Sequence, residues 1–386
     1  MLVNEVSDGN GGGGNPDVTS TSSTPVTTGS TSSGGGGGGE PITCPGLAPI
    51  AVSRIETPAD ATFDDVVVRG DQVIYTARGT IDAMVAPGTT PGFLVYATPS
   101  LGTIDKRVLA DDGAGGIIYA PIAAYDDENV IVHSSGVLTR VRNDSDPTAG
   151  DDTPSRLLKF LEADEGKLYG IEDGLGGVLV AMSIGMQPFS IEMEQVLYSQ
   201  LQSTYAQSFD VEGGILLWAE SGPGGPKLCT AAGCQPPIEV DAPPNVFQIA
   251  IGAGRGFAVA PKRGDMAPYS VWGFDFLGAP AQPVFSVATT STDQGVQAVT
   301  IVEKTAAFVR RPDTPPTELE LVRCCADGAL ADLDDALCTS PASISGTGSS
   351  TVRKMVAGPG PNAVTMLMDR SGGGQSIVVA SWQPSP

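Results

Sequence analysis

The chain has 386 residues, with 21 Lys and Arg against 44 Asp and Glu, a formal net charge of −23 and a single His. A field this negative repels phosphate backbones and anionic lipid surfaces, which excludes nucleic acid as a partner, and one His excludes any site built on two imidazoles. Hydrophobic residues make up 41% of the chain, enough for a core over most of its length, while 50 Gly and 31 Pro signal many turns and a low-complexity segment.

Met1–Asp8 carries neither the basic nor the apolar region of a signal peptide. Asn10 to Glu40 are almost wholly Gly, Ser and Thr with a few Pro, including Gly11–Gly14 and Gly34–Gly39. Such a stretch has nothing to bury, so residues 1–41 are expected to form a disordered tether, with a mean span of roughly 30 Å by random-coil scaling. Residues 42–386 form the expected folded domain. A tether of this kind holds a domain away from an anchor, which would sit in a lipidated or signal-bearing start upstream of Met1; the plain alternative is an unanchored tail. No apolar run approaches the roughly 18–20 residues of a transmembrane segment.

From Cys44 onward, short β-rich runs follow one another: Val66–Val68, Val73–Tyr75, Phe93–Tyr96, Val130–Val132, Val178–Val180, Ile215–Trp218, Val246–Ile251, Ala306–Val309 and Ile377–Val379. Gly, Pro, Asp and Asn clusters separate them at hairpin spacing. Ser155–Leu161 and Ile191–Tyr205 carry some helical period but also alternate, and are read as strands. Thr62–Tyr75 and Ser208–Trp218 open two copies of one rhythm, in which a strand is followed by a polar or Gly turn and a second strand. Further copies start near Ile117, Ser155, Asn245, Gly295 and Thr351. About seven units spaced by roughly 40–55 residues predict an all-β β-propeller of seven blades, within a range of six to eight. One such unit cannot bury both faces of its own sheet, so the units must pack radially. Ala48–Ile55 is the expected extra strand that pairs with the last blade and removes two open edges.

Ile215–Trp218, Gly222–Gly225, Lys227–Cys234 and Pro236–Ile238 together resemble one blade of the secreted or lipoprotein-type propellers of myxobacteria, in which a Trp strand, a Gly loop and a Cys-x4-Cys hairpin recur. The resemblance covers one unit. It implies a propeller in the cell envelope or outside the cell, and it brings no catalytic residues.

Six Cys are present, and none forms C-x-x-C, the element that zinc sites use in pairs. Cys229 and Cys234 bracket a short loop and are expected to close a hairpin disulfide. Cys338 is expected to pair with Cys324 or Cys325, leaving the other for Cys44. An even number of Cys beside turns indicates an oxidising compartment.

The oxygen-rich loop Asn143–Asp152 offers Asp144, Asp146, Asp151 and Asp152 as candidate Ca²⁺ ligands. It departs from the D-x-[DN]-x-[DN]-G pattern, and solvated Asp loops are ordinary in an acidic protein. No other cofactor is expected. Gly252-Ala253-Gly254-Arg255-Gly256 lies between two strands and reads as a hairpin turn, not a dinucleotide loop. Gly166-Lys167 is followed by Leu168, so it makes no phosphate loop. Arg69–Asp71 and Arg263–Asp265 are Arg-Gly-Asp tripeptides at expected turns, where Gly and Asp are common. His133 ends a strand near Asp126, Asp127 and Ser134, a set that would serve catalysis only with the right geometry; no G-x-S-x-G elbow accompanies it. A blade-packing role is the simpler reading.

Two functions remain. The first is an extracytoplasmic binding or scaffold module for an unknown protein or glycan at the cell surface, using loops such as Asp82–Pro91, Asn143–Pro154 and Asp313–Thr317. The second is a lyase or hydrolase acting on a glycan or lactone in the axial funnel. The fold hosts either. The scarcity of His favours binding, because the Asp and Glu residues are expected in turns where solvent keeps them ionised. Two or more buried carboxylates with raised pKa, or His133, lining one axial pocket would overturn the binding reading in favour of the enzyme.

Overall fold

Val66–Val68 and Val73–Tyr75 are β-branched and aromatic runs, and the two residues Gly70-Asp71 fold one onto the other, pairing Arg69 with Gln72. Gly70 has φ +58° and Gly213-Gly214, in the equivalent turn of a later unit, have φ +57° and +71°. Tight hairpins need this left-handed backbone, which glycine adopts without a steric cost. In the computed structural model the described residues are 2–3, 50–56, 61–79, 92–98, 103–108, 120–134, 136–142, 151–172, 177–199, 201, 206–220, 226–230, 233–240, 245–252, 254–261, 269–275, 282–286, 295–302, 305–312, 318–325, 342–348, 350–370 and 373–382.

Among them the secondary structure is all β. Two strands precede the first unit: β1 (Leu2–Val3) and β2 (Ile50–Glu56). The first unit is β3 (Ala61–Arg69), β4 (Gln72–Gly79), β5 (Gly92–Thr98) and β6 (Thr103–Val108). The second is β7 (Ile122–Ala124), β8 (Asn129–Ser134), β9 (Val137–Arg142) and β10 (Asp152–Pro154). The third is β11 (Leu158–Asp164), β12 (Lys167–Glu172), β13 (Leu179–Met186) and β14 (Phe189–Tyr198). The fourth is β15 (Ala206–Glu212), β16 (Ile215–Glu220), β17 (Lys227–Thr230) and β18 (Gly233–Glu239). The fifth is β19 (Gln248–Gly252), β20 (Arg255–Pro261), β21 (Tyr269–Asp275) and β22 (Gln282–Ser286). The sixth is β23 (Gly295–Val302), β24 (Thr305–Arg311), β25 (Leu319–Cys325) and β26 (Ala342–Ile344). The last is β27 (Thr351–Ala357), β28 (Ala363–Asp369) and β29 (Gln375–Trp382).

Each unit is an antiparallel meander in chain order; the fifth and sixth touch in sheet pairing only through the parallel bridge Tyr269–Gly295. The first strands touch in succession, β3 to β7, β11, β15, β19, β23 and β27, and β27 returns to β3. They form a closed inner ring. The apolar core is divided accordingly. One hydrophobic cluster lies between each consecutive pair of units: for example Tyr169, Leu179, Trp218 and Cys229 between the third and fourth, and Leu217, Ala219, Ala258 and Trp272 between the fourth and fifth. The unit starts read from the sequence fall beside these first strands, and the two stretches with helical period carry β11 and β14.

The ring is closed by β2, which adds to the outer edge of β29 in the register Ile50–Trp382 through Glu56–Ser376. Ile55 joins Phe63, Val66, Leu367, Ile377 and Val379 in the cluster joining the last unit to the first. Of the strand expected over Ala48–Ile55, the described part, Ile50–Ile55, does complete the last sheet. Leu2 and Val3 pair with Ile55 and Arg54 on its far side; the rest of the expected tether lies outside the described residues.

Candidate functional site

The inner strands lie around the ring axis. There β3, β11, β15, β19 and β27 surround a cavity of about 550 Å³. Leu157, Phe160, Phe209, Phe247 and Leu367 supply apolar walls, and Asp65, Glu162, Ser208, Gln248, Arg353 and Lys354 supply polar groups. A mostly apolar cavity with a few converging polar groups is the usual form of a small-molecule site.

Lys354 is the centre of the charge arrangement. Its Nζ lies 2.7 Å from Asp65 Oδ1 and 3.6 Å from Glu162 Oε1. β3 is the neighbour of β27 in the ring, but β11 is two strands further on, so the lysine arm reaches across the axis. Burial pushes Glu162 up to about 8, against the lowering pull of Lys354, with Asp210 and Asp65 adding to the rise. Its side chain keeps 26% exposure, which is to the cavity. Burial also pushes Asp210 up to about 7, although the amides of Ile251 and Val211 and the charge of Lys354 favour its ionised form. The expectation that the carboxylates sit in solvated turns fails for these two residues, because the ring places first-strand side chains on a narrow axis.

The two aspartates also hold the ring together. Asp65 Oδ1 accepts from Val66 N (2.8 Å), and its Oδ2 accepts from Ile122 N of the next unit (3.1 Å). Asp210 Oδ1 accepts from Val211 N (2.9 Å), and its Oδ2 from Ile251 N of the next unit (2.8 Å). Gln248 Oε1 accepts from Val299 N (3.1 Å) and Gln297 Oε1 from Val352 N (3.2 Å), again one unit onward. Glu162 differs: among the described residues its carboxylate takes no backbone amide, and Lys354 is the cation beside it.

His133 lines the same cavity and is 2% exposed. Its Nε2 lies 2.9 Å from Arg156 O and also receives Gly136 N and Leu158 N at 3.2 and 3.3 Å. Burial lowers it to about 4, against the raising effect of the Arg156 carbonyl, so the ring is neutral at pH 7. Asp126 is not its partner: Asp126 Oδ1 accepts from Glu128 N and Asn129 N in a local turn. The imidazole packs the second unit against the third.

Of the loop proposed for Ca²⁺, Asp144 and Asp146 lie outside the described residues. Asp151 is buried, accepts Arg140 Nε at 3.0 Å and has Arg142 Nη2 at 3.7 Å. Asp152 Oδ1 accepts the Thr139 hydroxyl at 2.7 Å. Cys229 and Cys234 are disulfide-bonded, with Cα atoms 5.0 Å apart. The side chains of Cys44, Cys324, Cys325 and Cys338 lie outside the described residues, as does Arg263–Asp265. Gly70-Asp71 is the β3–β4 turn, and Gly252–Arg255 is the β19–β20 hairpin.

Sequence reasoning missed Glu162, Asp210 and Lys354. The signal for one of them was present: Phe63-Asp64-Asp65-Val66 and Phe209-Asp210-Val211 place an acid beside Val in the opening strand of two units.

No family model matches the chain, and no curated protein matches it in sequence. Solved structures do match in shape. The β-propeller domain of the trilobed protease from Pyrococcus furiosus superposes with a TM-score of 0.52 at 11% identity, over 84% of this chain and 96% of that one. A chain of a mitotic checkpoint complex gives 0.50 at 11% identity, over 83% and 94%. A prolyl endopeptidase gives 0.50 at 11% identity, over 85% of this chain and 51% of its own. Together with the closed ring of inner strands, these likenesses show that the chain has the β-propeller fold.

Proposed function

We propose that this propeller is an extracytoplasmic binding or scaffold module whose axial cavity is its ligand site. The observation that carries the reading is the state of three neighbouring acids, Asp65, Asp210 and Glu162. Both oxygens of Asp65 and of Asp210 already accept backbone amides, and Asp65 also holds Lys354. A carboxylate pair for hydrolysis needs a second free member, and of Asp65, Asp210 and Glu162 only Glu162 takes no backbone amide. The Cys229–Cys234 bridge supports an oxidising compartment, as does the resemblance to tethered envelope propellers, and a surface protein or glycan is the partner that suits such a location. Seven blades is our reading of the ring.

One observation favours the second reading, a lyase or hydrolase in the axial funnel, and meets the condition drawn from the sequence: His133 and Glu162 line one cavity, and Glu162 and its neighbour Asp210 are both held well above the usual carboxylate range, which suits general acid chemistry near neutral pH. A thermal-shift panel of small amines, carboxylates, neutral sugars and lactones, run on the wild type and on Ser208→Trp to fill the cavity, tests the binding reading. Ligand-dependent stabilisation that Ser208→Trp abolishes supports it. Turnover of a glycoside or lactone that Glu162→Gln abolishes replaces it with the enzyme.

A further inference from the structure

We propose that the axial cavity binds a small amphipathic organic cation, an ammonium on an aryl or alkyl stem, with Glu162 as the group that receives the charge. This rests on the cavity being the binding site and names what that site selects.

Lys354 already shows what the site accepts, because its ammonium sits 2.7 Å from Asp65 but only 3.6 Å from Glu162. The lysine is committed to the aspartate, and the glutamate faces the cavity with its bonding capacity largely unused. A cation placed against Glu162 would lie in the field of three carboxylates: Glu162 on β11, Asp65 on β3 and Asp210 on β15. Phe160, Phe209 and Phe247 line the same cavity and would take an aryl or alkyl stem, with cation–π contact as a further gain. The volume of about 550 Å³ suits a drug-sized molecule.

His133 also lines the cavity, 2% exposed, with no hydrogen-bond partner for its Nδ1.

Binding of this kind is linked to protons. Among the described residues the charged groups around Glu162 are Lys354 and Arg353 from β27, Asp64 and Asp65 from β3, Lys159 from its own strand and Asp210 from β15, with Tyr169 its register partner on β12. β7 contributes Ile122, Ala123 and Ala124, and β19 contributes Gln248, none of which titrates. Glu162 holds a proton at pH 7 because burial raises it to about 8; an ammonium against it favours the ionised form, so the complex releases protons.

The test is isothermal titration of the full chain at pH 7 with phenethylamine, 2-phenylethanol and 3-phenylpropionate, in two buffers of different ionisation enthalpy. The expected result is that the amine binds about tenfold or more tighter than the alcohol, that the carboxylate is excluded, and that amine binding releases protons. Glu162→Gln should remove both the preference and the proton release while leaving the alcohol's affinity unchanged. Lys354→Met, which removes the competing internal cation, should tighten the amine. Equal affinity of amine and alcohol for the wild type, unchanged amine binding in Glu162→Gln, or binding of none of the three probes overturns the proposal. The general binding reading is judged separately, by the wider panel and Ser208→Trp.

Discussion

Asp65 and Asp210 stand in the opening strands of two different units and make the same pair of hydrogen bonds, one to the amide of the following Val and one to an amide in the next unit's first strand. Each is therefore a clasp between neighbouring sheets. Removing it strips two backbone N–H groups of their acceptor, at a cost of about 1–3 kcal/mol for each left buried and unsatisfied. Asp210→Ala should lower the urea-unfolding free energy by that amount. Asp65→Ala should cost more, because it also strips Lys354 of its 2.7 Å partner. Adding Lys354→Met to Asp65→Ala should recover part of the difference, and strict additivity in that double-mutant cycle would show that the pair is not coupled.

Glu162 gives stability a pH dependence of unusual sign. Its folded pKa is about 8 against an ordinary value of 4.5, so between those limits the folded state binds more protons than the unfolded state. Stability must then fall as pH rises through this window and level off above it. Asp210, at about 7 against 3.8, adds in the same direction. Denaturant midpoints measured from pH 5 to 9 should decline, and Glu162→Gln should flatten the decline. An unchanged slope in that variant would assign it to other groups.

The architecture was legible because it repeats. Period-two apolar runs cut by Gly and Asp turns recur along the chain, and a short apolar strand after the low-complexity segment had no partner except the last unit. Ile50–Glu56 on β29 follows from that need to close an edge. The site was less legible. Glu162 sits in Phe160-Leu161-Glu162-Ala163-Asp164, which reads as a strand edge with ordinary solvated acids. Only ring closure brings it opposite Lys354, 192 positions later in the numbering. Local pattern carries no record of which long-range pair shares the axis. His133 was legible as a packing residue, because a lone His at a strand end has nearby backbone to bond.

Ring closure through β2 has its own test. Ile55 is buried against Phe63, Leu367, Ile377 and Val379, and Ile55→Ala should cost about 2–4 kcal/mol through lost burial and the cavity left behind. Ala51→Lys, on the same strand but exposed, should cost little. Removing residues 1–56 leaves the β29 edge unpaired, and such edges template association. The truncated chain should melt lower and show concentration-dependent oligomers by light scattering. A monomeric truncated chain of wild-type stability would mean that β2 does not close the ring.

The Cys229–Cys234 bridge spans a short hairpin within the cluster that also holds Trp218 and Tyr169. A loop of this length restricts the unfolded chain modestly, by about 2 kcal/mol in the chain-entropy picture. Replacing both Cys with Ser should cost roughly that much, and reductant should lower the melting temperature of the wild type but not of the double variant. A reductant effect that persists in the double variant would locate it at another bridge.

His133 should set part of the acid limb. Burial holds its folded pKa at about 4 against 6.5, so between these values the unfolded state takes up a proton that the folded state refuses. The stability it supports is present above about 6.5 and is lost as pH falls toward 4. This opposes the Glu162 trend, which strengthens the fold as pH falls through the same range, so the two variants should bend the profile in opposite senses. Protonating the imidazole would place a buried cation between Arg156 O, which tolerates it, and the amides of Gly136 and Leu158, which do not. His133→Gln keeps a group able to bond the same backbone without titrating there. Acid unfolding followed by the fluorescence of the buried Trp218, Trp272 and Trp382 should have a lower pH midpoint in His133→Gln than in the wild type. If the midpoint does not move, the carboxylate ion pairs such as Arg140–Asp151 set the acid limb and His133 does not.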